Sequence, residues 1–336
     1  MSSDTSLAEP PREGLRSYKE GALDIGGILA QALEIDDKGG DGIDFHSTLE
    51  SILRIKDFNE GSQVMLDKLV EALSTENNTS MRAHAAEIIS AYCNARHTSE
   101  SDLTLDLNQA RFSNDHIGFR NSTNLTVLGD PGHHSFRGMT GGRVIVKNKA
   151  GNCAAIGITG GEITYLNGAG DNLAEGQKGG KVISGGSLGN YAGKNKTDGD
   201  IIIHEGSASS HINYGARGGS TKVMGSAGDH AGPYMRAGTL EIRGNAGGYA
   251  GDHMNEGTGE IMIGGSSGEF TGDKAGGGSL CVEGHAASMG KIKQPSSARI
   301  KIAGKYIVVN GDVPGWINSW RNNKLSAGDK HGWRYT

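Results

Sequence analysis

His211 and His230 lie 19 residues apart, each in the third place of a recurring five-residue segment. If successive copies stack, that place becomes a column: His134, Cys153, Asn172, Tyr191, His211, His230, Tyr249, Phe270. Two imidazoles one layer apart could share a metal ion. No carboxylate or cysteine completes a ligand set, so a stacked or hydrogen-bonded column is expected and no metal ligand is assigned. The preceding place reads His133, Asn152, Asp171, Asn190, Ser210, Asp229, Gly248, Glu269. Acid–base work by a carboxylate pair needs both acids on adjacent layers. Asp229 and Glu269 are two layers apart, about 9.6 Å at strand spacing. Solvated turn residues are the expectation there.

Other chemistries find little support. Gly244-Asn245-Ala246-Gly247-Gly248 is glycine-rich, but no helix pattern follows it, and no phosphate-cradling loop ending in Lys-Ser/Thr occurs. No nucleophilic serine sits at a strand–turn–helix elbow. Cys93, Cys153 and Cys281 are far apart and form neither a disulfide framework nor a zinc knuckle. An amidotransferase with an N-terminal cysteine nucleophile is excluded, because residue 2 is Ser and no cysteine precedes Cys93. No catalytic, cofactor-binding or metal residue is therefore assigned.

The framework that carries these columns is repetitive. Glycine supplies 56 of 336 residues, and 42 of them fall between 129 and 290. Copies of Gly-x-x-(Ala/Thr)-Gly begin at Gly189, Gly228, Gly247 and Gly268, with looser copies at Gly132, Gly151, Gly170, Ser209 and Ala286; most steps are 19 residues, and each copy follows an alternating strand such as Arg143–Val146 or Thr239–Ile242. A period near 20 residues with short strands and one polar turn predicts a β-solenoid, one coil per repeat. Before it, the apolar spacing predicts helices in Ala22–Ile35, Leu49–Ile55, Val64–Leu73 and Met81–Tyr92. Ser47 and Thr48 are cap candidates for the second of these helices, and Asn78–Ser80 for the last. The expected organisation is a helical N-terminal region over 1–98, a parallel β-helix over 99–312, and a capping or docking tail over 313–336 that holds all three tryptophans.

The coil segments resemble the GXGXG domain at the C-terminus of the glutamate synthase large subunit. Gly129-Asp130-Pro131-Gly132 and Gly138-Met139-Thr140-Gly141-Gly142 look like its coil segments, and Asn77–Arg82 looks like the entry to that domain. The resemblance spans about 75–290. The first coil, Leu107 to Gly118, departs from the family's glycine pattern, and 1–74 and 300–336 match nothing in it. The resemblance implies a right-handed parallel β-helix acting as a rigid scaffold. The same domain stands alone in N-methylglutamate synthase-type enzymes and in formylmethanofuran dehydrogenase, where it forms a subunit of its own. In that family the FMN, the iron–sulfur cluster and the amidotransferase nucleophile lie on other domains or subunits.

The reading that follows is a non-catalytic structural subunit of a glutamate synthase-like complex, holding amidotransferase and FMN/iron–sulfur components together. It would bind no cofactor itself. The alternatives are a formylmethanofuran dehydrogenase-type scaffold and a carbohydrate-active β-helix enzyme; the second would need an acidic or aromatic groove that the columns do not supply. A net charge of −5 argues against nucleic acid as a partner. No run approaches the roughly 18 apolar residues of a membrane span and no secretory leader is visible, so a cytoplasmic protein is expected. A homo-oligomer is left open. Residues just past each corner should line up on one edge. Lys194, Lys196, Tyr234, Arg236, His253 and Met254 are the partner-interface candidates there, joined by Trp316 and Trp320 in the tail.

Overall fold

Val, Ile and Leu recur at alternate places in short segments one period apart, and those segments become the strands. The computed structural model describes residues 27–30, 32, 45–54, 62–77, 83–95, 102–254, 257–293 and 296–308. Twelve strands form one sheet in sequence order: β1 Leu103–Asp106, β2 Leu125–Leu128, β3 Arg143–Val146, β4 Glu162–Tyr165, β5 Lys178–Ser184, β6 Asp198–Ile203, β7 Arg217–Val223, β8 Ala237–Ile242, β9 Glu260–Ile263, β10 Ser279–Val282, β11 Arg299–Ile302 and β12 Lys305–Val308. Strands β1 to β11 pair in parallel, each with its successor, so every step from strand to strand is one turn of a β-solenoid. A second seam of parallel bridges runs through Ala150, Ala169, Leu188, Ala208, Ala227 and Ala246.

In-register stacking places like over like, because residues at the same place in successive turns are only about 4.8 Å apart. Val144, Ile163, Val182 and Ile201 form one inward column, all fully buried. Not every column is uniform: buried Tyr165 lies directly over buried Ser184. Burial pushes the Tyr165 phenol above its ordinary range.

Both ends of a solenoid expose unpaired strand groups and need covering. Helices α1 Phe45–Arg54, α2 Ser62–Thr75 and α3 Ala85–Ala95 pack together, and α2 lies against β1. Gln63 acts there as a missing strand: its Nε2 donates to Thr104 O at 2.8 Å and its Oε1 accepts from Thr104 N at 2.7 Å. On α3, Ser90 Oγ accepts from Gly118 N at 2.9 Å and Asn94 Oδ1 accepts from Ser122 N at 3.1 Å. Helix α3 is buried around most of its circumference, and burial raises the Cys93 thiol to about 12. Ser47 and Thr48, the cap candidates, instead lie inside α1, which starts at Phe45. Asn78–Ser80 and much of Ala22–Ile35 lie outside the described residues.

At the other end the sheet finishes differently from the expected run of coils. Strand β12 returns antiparallel to β11. Ala303 and Gly304 join them with φ of 48° and 77°, the two positive values a tight hairpin turn requires. The tail from 309 onward, with Trp316 and Trp320, lies outside the described residues.

Candidate functional site

Each turn contains a segment in which every second residue has a left-handed backbone. In the turn at 191 these are Tyr191, Gly193 and Asn195, with φ of 61°, 70° and 55°. The next turns repeat the pattern at His211, Asn213 and Gly215, then His230, Gly232 and Tyr234, then Tyr249, Gly251 and His253. The first turn obeys it as well, at His116, Gly118 and Arg120, although its sequence departs from the glycine pattern. A left-handed conformation costs a residue with Cβ about 1–2 kcal/mol. Aromatic residues at the first of these places are therefore an expensive choice, and something must offset it.

Stacking supplies part of the offset. Ring centroids are 4.7 Å apart from Tyr191 to His211, 4.7 Å from His211 to His230, 4.8 Å from His230 to Tyr249 and 4.9 Å from Tyr249 to Phe270. The interplanar angles are 25°, 13°, 9° and 20°. Such pairs contribute about 0.5–1.5 kcal/mol each beyond burial. A shorter second row runs beside the first: Tyr214 to Tyr234 at 5.3 Å and Tyr234 to His253 at 4.6 Å. Between the rows Asp252 is buried at 4% exposure. Its carboxylate faces His230 Nδ1 at 3.3 Å and His253 Nδ1 at 3.1 Å, one oxygen to each ring. The result is a ridge of ring edges over five successive turns, with one shared carboxylate beneath.

The interface candidates divide on this geometry. Tyr234 is exposed and belongs to the second row, and Arg236 is exposed beside it. His253 is partly exposed and tied to Asp252. Lys194 Nζ is 2.9 Å from Glu175 and 5.8 Å from the centre of the Tyr191 ring; the bond to Glu175 raises its pKa. Met254 and Lys196 do not belong to the edge. Met254 is 2% exposed and Lys196 fully buried, and both share an inward column with Met235. The three alternating left-handed residues carry the chain past the corner and turn the following residue inward.

The column before the rings is committed to holding the turns together. Asp171 Oδ1 accepts from Asn190 N at 2.7 Å, and Asp229 Oδ1 accepts from Gly248 N at 2.8 Å. Asn152 Oδ1 accepts from Asp171 N, and His133 Nδ1 accepts from Asn152 N, each at 2.9 Å. These side chains, expected to be merely solvated, act as hydrogen-bond acceptors from one turn to the next. In the ring column His211 stacks on His230 with centroids 4.7 Å apart, and His230 Nδ1 faces Asp252. Among the described residues no cluster of three or more His, Cys, Asp or Glu is placed to hold a metal ion. The ridge is aromatic, unlike the expectation behind the carbohydrate-enzyme alternative, but its ring faces are spent on one another and give a sugar no platform.

Comparison with protein-family models, curated proteins and solved structures gives no match for this chain. The reading of the site therefore rests on its geometry and on the residues themselves. No described helix is long and apolar enough to cross a membrane.

Proton linkage offers a direct probe of the ridge. Burial lowers the His211 pKa, and His230 lowers it further, against smaller opposing effects of Asp252 and Asp229. His211 stacks between Tyr191 and His230, with Tyr214 beside it. The unfolded chain binds this proton near pH 6.5 and the folded chain only at lower pH. Stability linked to His211 is therefore present above about pH 6.5 and is lost as pH falls from there through the folded value. His211→Phe, which copies the ring at Phe270, should flatten the fall in melting temperature between pH 7 and 5. An unchanged acid slope in that variant would remove His211 as its source.

Proposed function

We propose that the chain is a non-catalytic structural subunit of a glutamate synthase-like complex, and that its ridge docks another protein of that complex. The observation that carries this reading is the ridge itself: exposed Tyr234 and Arg236 beside half-buried Tyr and His rings in fixed register on a stiff scaffold. Tyrosine and arginine are the residues most often decisive at interfaces. The acids and amides that a catalyst would use are engaged in stacking the turns, as at Asp171 and Asp229. The glutamate synthase setting comes from the Gly-x-x-Ala-Gly segments and their neighbours at Gly129–Gly132 and Gly138–Gly142. In that setting the partners are an amidotransferase and a synthase protein that carries FMN and an iron–sulfur cluster.

Affinity purification of the tagged full chain at native expression level should recover other subunits in fixed ratio. Flavin absorbance should travel with the complex. Tyr234→Asp should weaken the association without lowering the melting temperature. A native protein that runs alone at its cellular concentration would sink the scaffold reading.

A further inference from the structure

The ridge also indicates what kind of partner it takes. We propose that it docks a carboxylate-rich segment of a partner protein; this rests on the docking role given above. Three independent features point that way.

The first is a column of unpaired cations beside the ring rows. Lys178, Thr197, Arg217 and Arg236 each follow the same buried place in successive turns, at a register shift where the sheet pairs Lys178 with Asp198 and Arg217 with Ala237. Each backbone N–H donates at 2.8 Å to the preceding turn: Lys178 to Ile158, Thr197 to Gln177, Arg217 to Lys196 and Arg236 to Ala216. All four are exposed. Between 178 and 274 the chain has nine Lys and Arg residues. Lys181, Lys194, Lys222, Arg243 and Lys274 are in ion pairs, and Lys196 is buried. Lys178, Arg217 and Arg236 remain; among the described residues they form no ion pair, and Asp198 is the register partner of Lys178. Three turns separate Lys178 from Arg236, about 14 Å at 4.8 Å per turn, a span of four or five extended residues.

The second feature is the state of the local carboxylates. Asp252 is buried between two imidazoles, Glu175 is paired with Lys194, and Asp229 accepts a backbone N–H. Asp200 accepts from Ser220 Oγ. Asp198, next to Thr197, and Asp200 are both exposed, two acids against the three cations of the column.

The third is the orientation of the rings. An aromatic ring is negative on its face and positive at its edge. Stacking hides the faces of Tyr191, His211, His230 and Tyr249 and turns their edges outward, a surface suited to anions. The same stacking disfavours a nucleic acid, whose bases need free ring faces.

The test uses the full-length chain and fluorescein-labelled deca-glutamate, read by fluorescence anisotropy at low and moderate salt. Deca-lysine and a ten-nucleotide deoxythymidine oligomer serve as comparisons. Deca-glutamate should bind saturably and deca-lysine should not. Arg217→Glu combined with Arg236→Glu should weaken binding about tenfold or more, with an unchanged melting temperature. Lys147→Glu combined with Lys149→Glu, elsewhere on the solenoid, should leave binding as it is. Absent saturable binding, or binding indifferent to the Arg217/Arg236 change, would overturn the proposal. So would oligonucleotide binding as tight as that of deca-glutamate and equally sensitive to that change, which would make the ligand a polyphosphate. Partner proteins recovered from the cell without deca-glutamate binding would defeat this inference alone. Deca-glutamate binding by a protein that has no cellular partner would defeat the scaffold reading alone.

Discussion

Gly247→Val is expected to destabilise the solenoid by about 3 kcal/mol or more, and Gly228→Val by roughly half as much. The two glycines occupy the same corner in adjacent turns, so the difference must come from what a side chain would meet. A Cβ on Gly247 would lie 2.2 Å from Asp229 Oδ1, 2.7 Å from Asp229 N and 2.8 Å from the carbonyl carbon of Gly228. Asp229 cannot withdraw cheaply, because its Oδ1 accepts from Gly248 N. Gly247 cannot retreat either, since its N–H is shared between Ala227 O and Gly228 O at 3.1 and 3.2 Å. At Gly228 the nearest atom is Ser210 Oγ at 2.8 Å, a hydroxyl that can rotate, and backbone atoms begin at 3.0 Å. Neither glycine has a left-handed φ, so close approach of the turns decides the cost; Gly251, at φ 69°, is the contrasting case. Urea unfolding followed by circular dichroism measures the order. Greater damage from Gly228→Val than from Gly247→Val would mean that the turns are not packed this closely. Because each turn contacts only its neighbours, hydrogen exchange should show the damage concentrated near the substituted turns.

Those glycines are legible in the sequence because steric demand repeats with the turn. The Val/Ile strands are legible for the same reason, and so is the ring column from Tyr191 to Phe270, since one register places every member. What escapes is whatever breaks the period. Sequence reasoning puts Met254 and Lys196 on the edge, because polar or mixed residues after a corner usually face water. The alternating left-handed backbone that turns them inward has no signature beyond glycine, and here Tyr, His, Asn and Lys also adopt it. Asp252 between His230 and His253 escapes because its partners come from two different turns and two different places in the repeat. The covering of the first turn depends on Gln63 and Asn94, whose roles exist only once helices and solenoid meet. Among the interface candidates, Tyr234, Arg236 and His253 share one edge of the solenoid, and Lys194 lies beside it in an ion pair.

Lys196 sets the second large effect. Its ammonium sits inside the solenoid and donates to Gly199 O at 3.0 Å, to Thr221 Oγ1 at 3.2 Å and to Ser220 O. Thr221 in turn donates to Asn213 Oδ1 at 2.8 Å. Gln177 Oε1 and Asn213 Nδ2, both buried, have no hydrogen-bond partner among the described residues. Burial lowers the Lys196 pKa to about 8, and Asp200 and Asp198 oppose that only in part. Holding the charge at neutral pH therefore costs roughly 3 kcal/mol relative to water. Lys196→Met removes that cost but takes their donor from Gly199 O and Ser220 O, each worth about 1–3 kcal/mol when left buried and unpaired, while Thr221 Oγ1 keeps its bond to Asn213. The losses outweigh the gain, and the single variant should be less stable by about 1–3 kcal/mol. Replacing the whole polar group is different. Lys196→Met with Asn213→Gly and Thr221→Leu installs the residues that later turns carry at the same three places, Met235, Gly232 and Leu240, and glycine accepts the φ of 57° at 213. The triple variant should recover at least the wild-type stability. Alkaline titration gives an independent sign. Above pH 8 the folded chain releases this proton while the unfolded chain keeps it to about 10.5, so the unfolded state binds more protons and stability rises across that interval. Lys196→Met should lose that rise. A triple variant weaker than the single one would show that the polar group, rather than its incomplete removal, stabilises these turns.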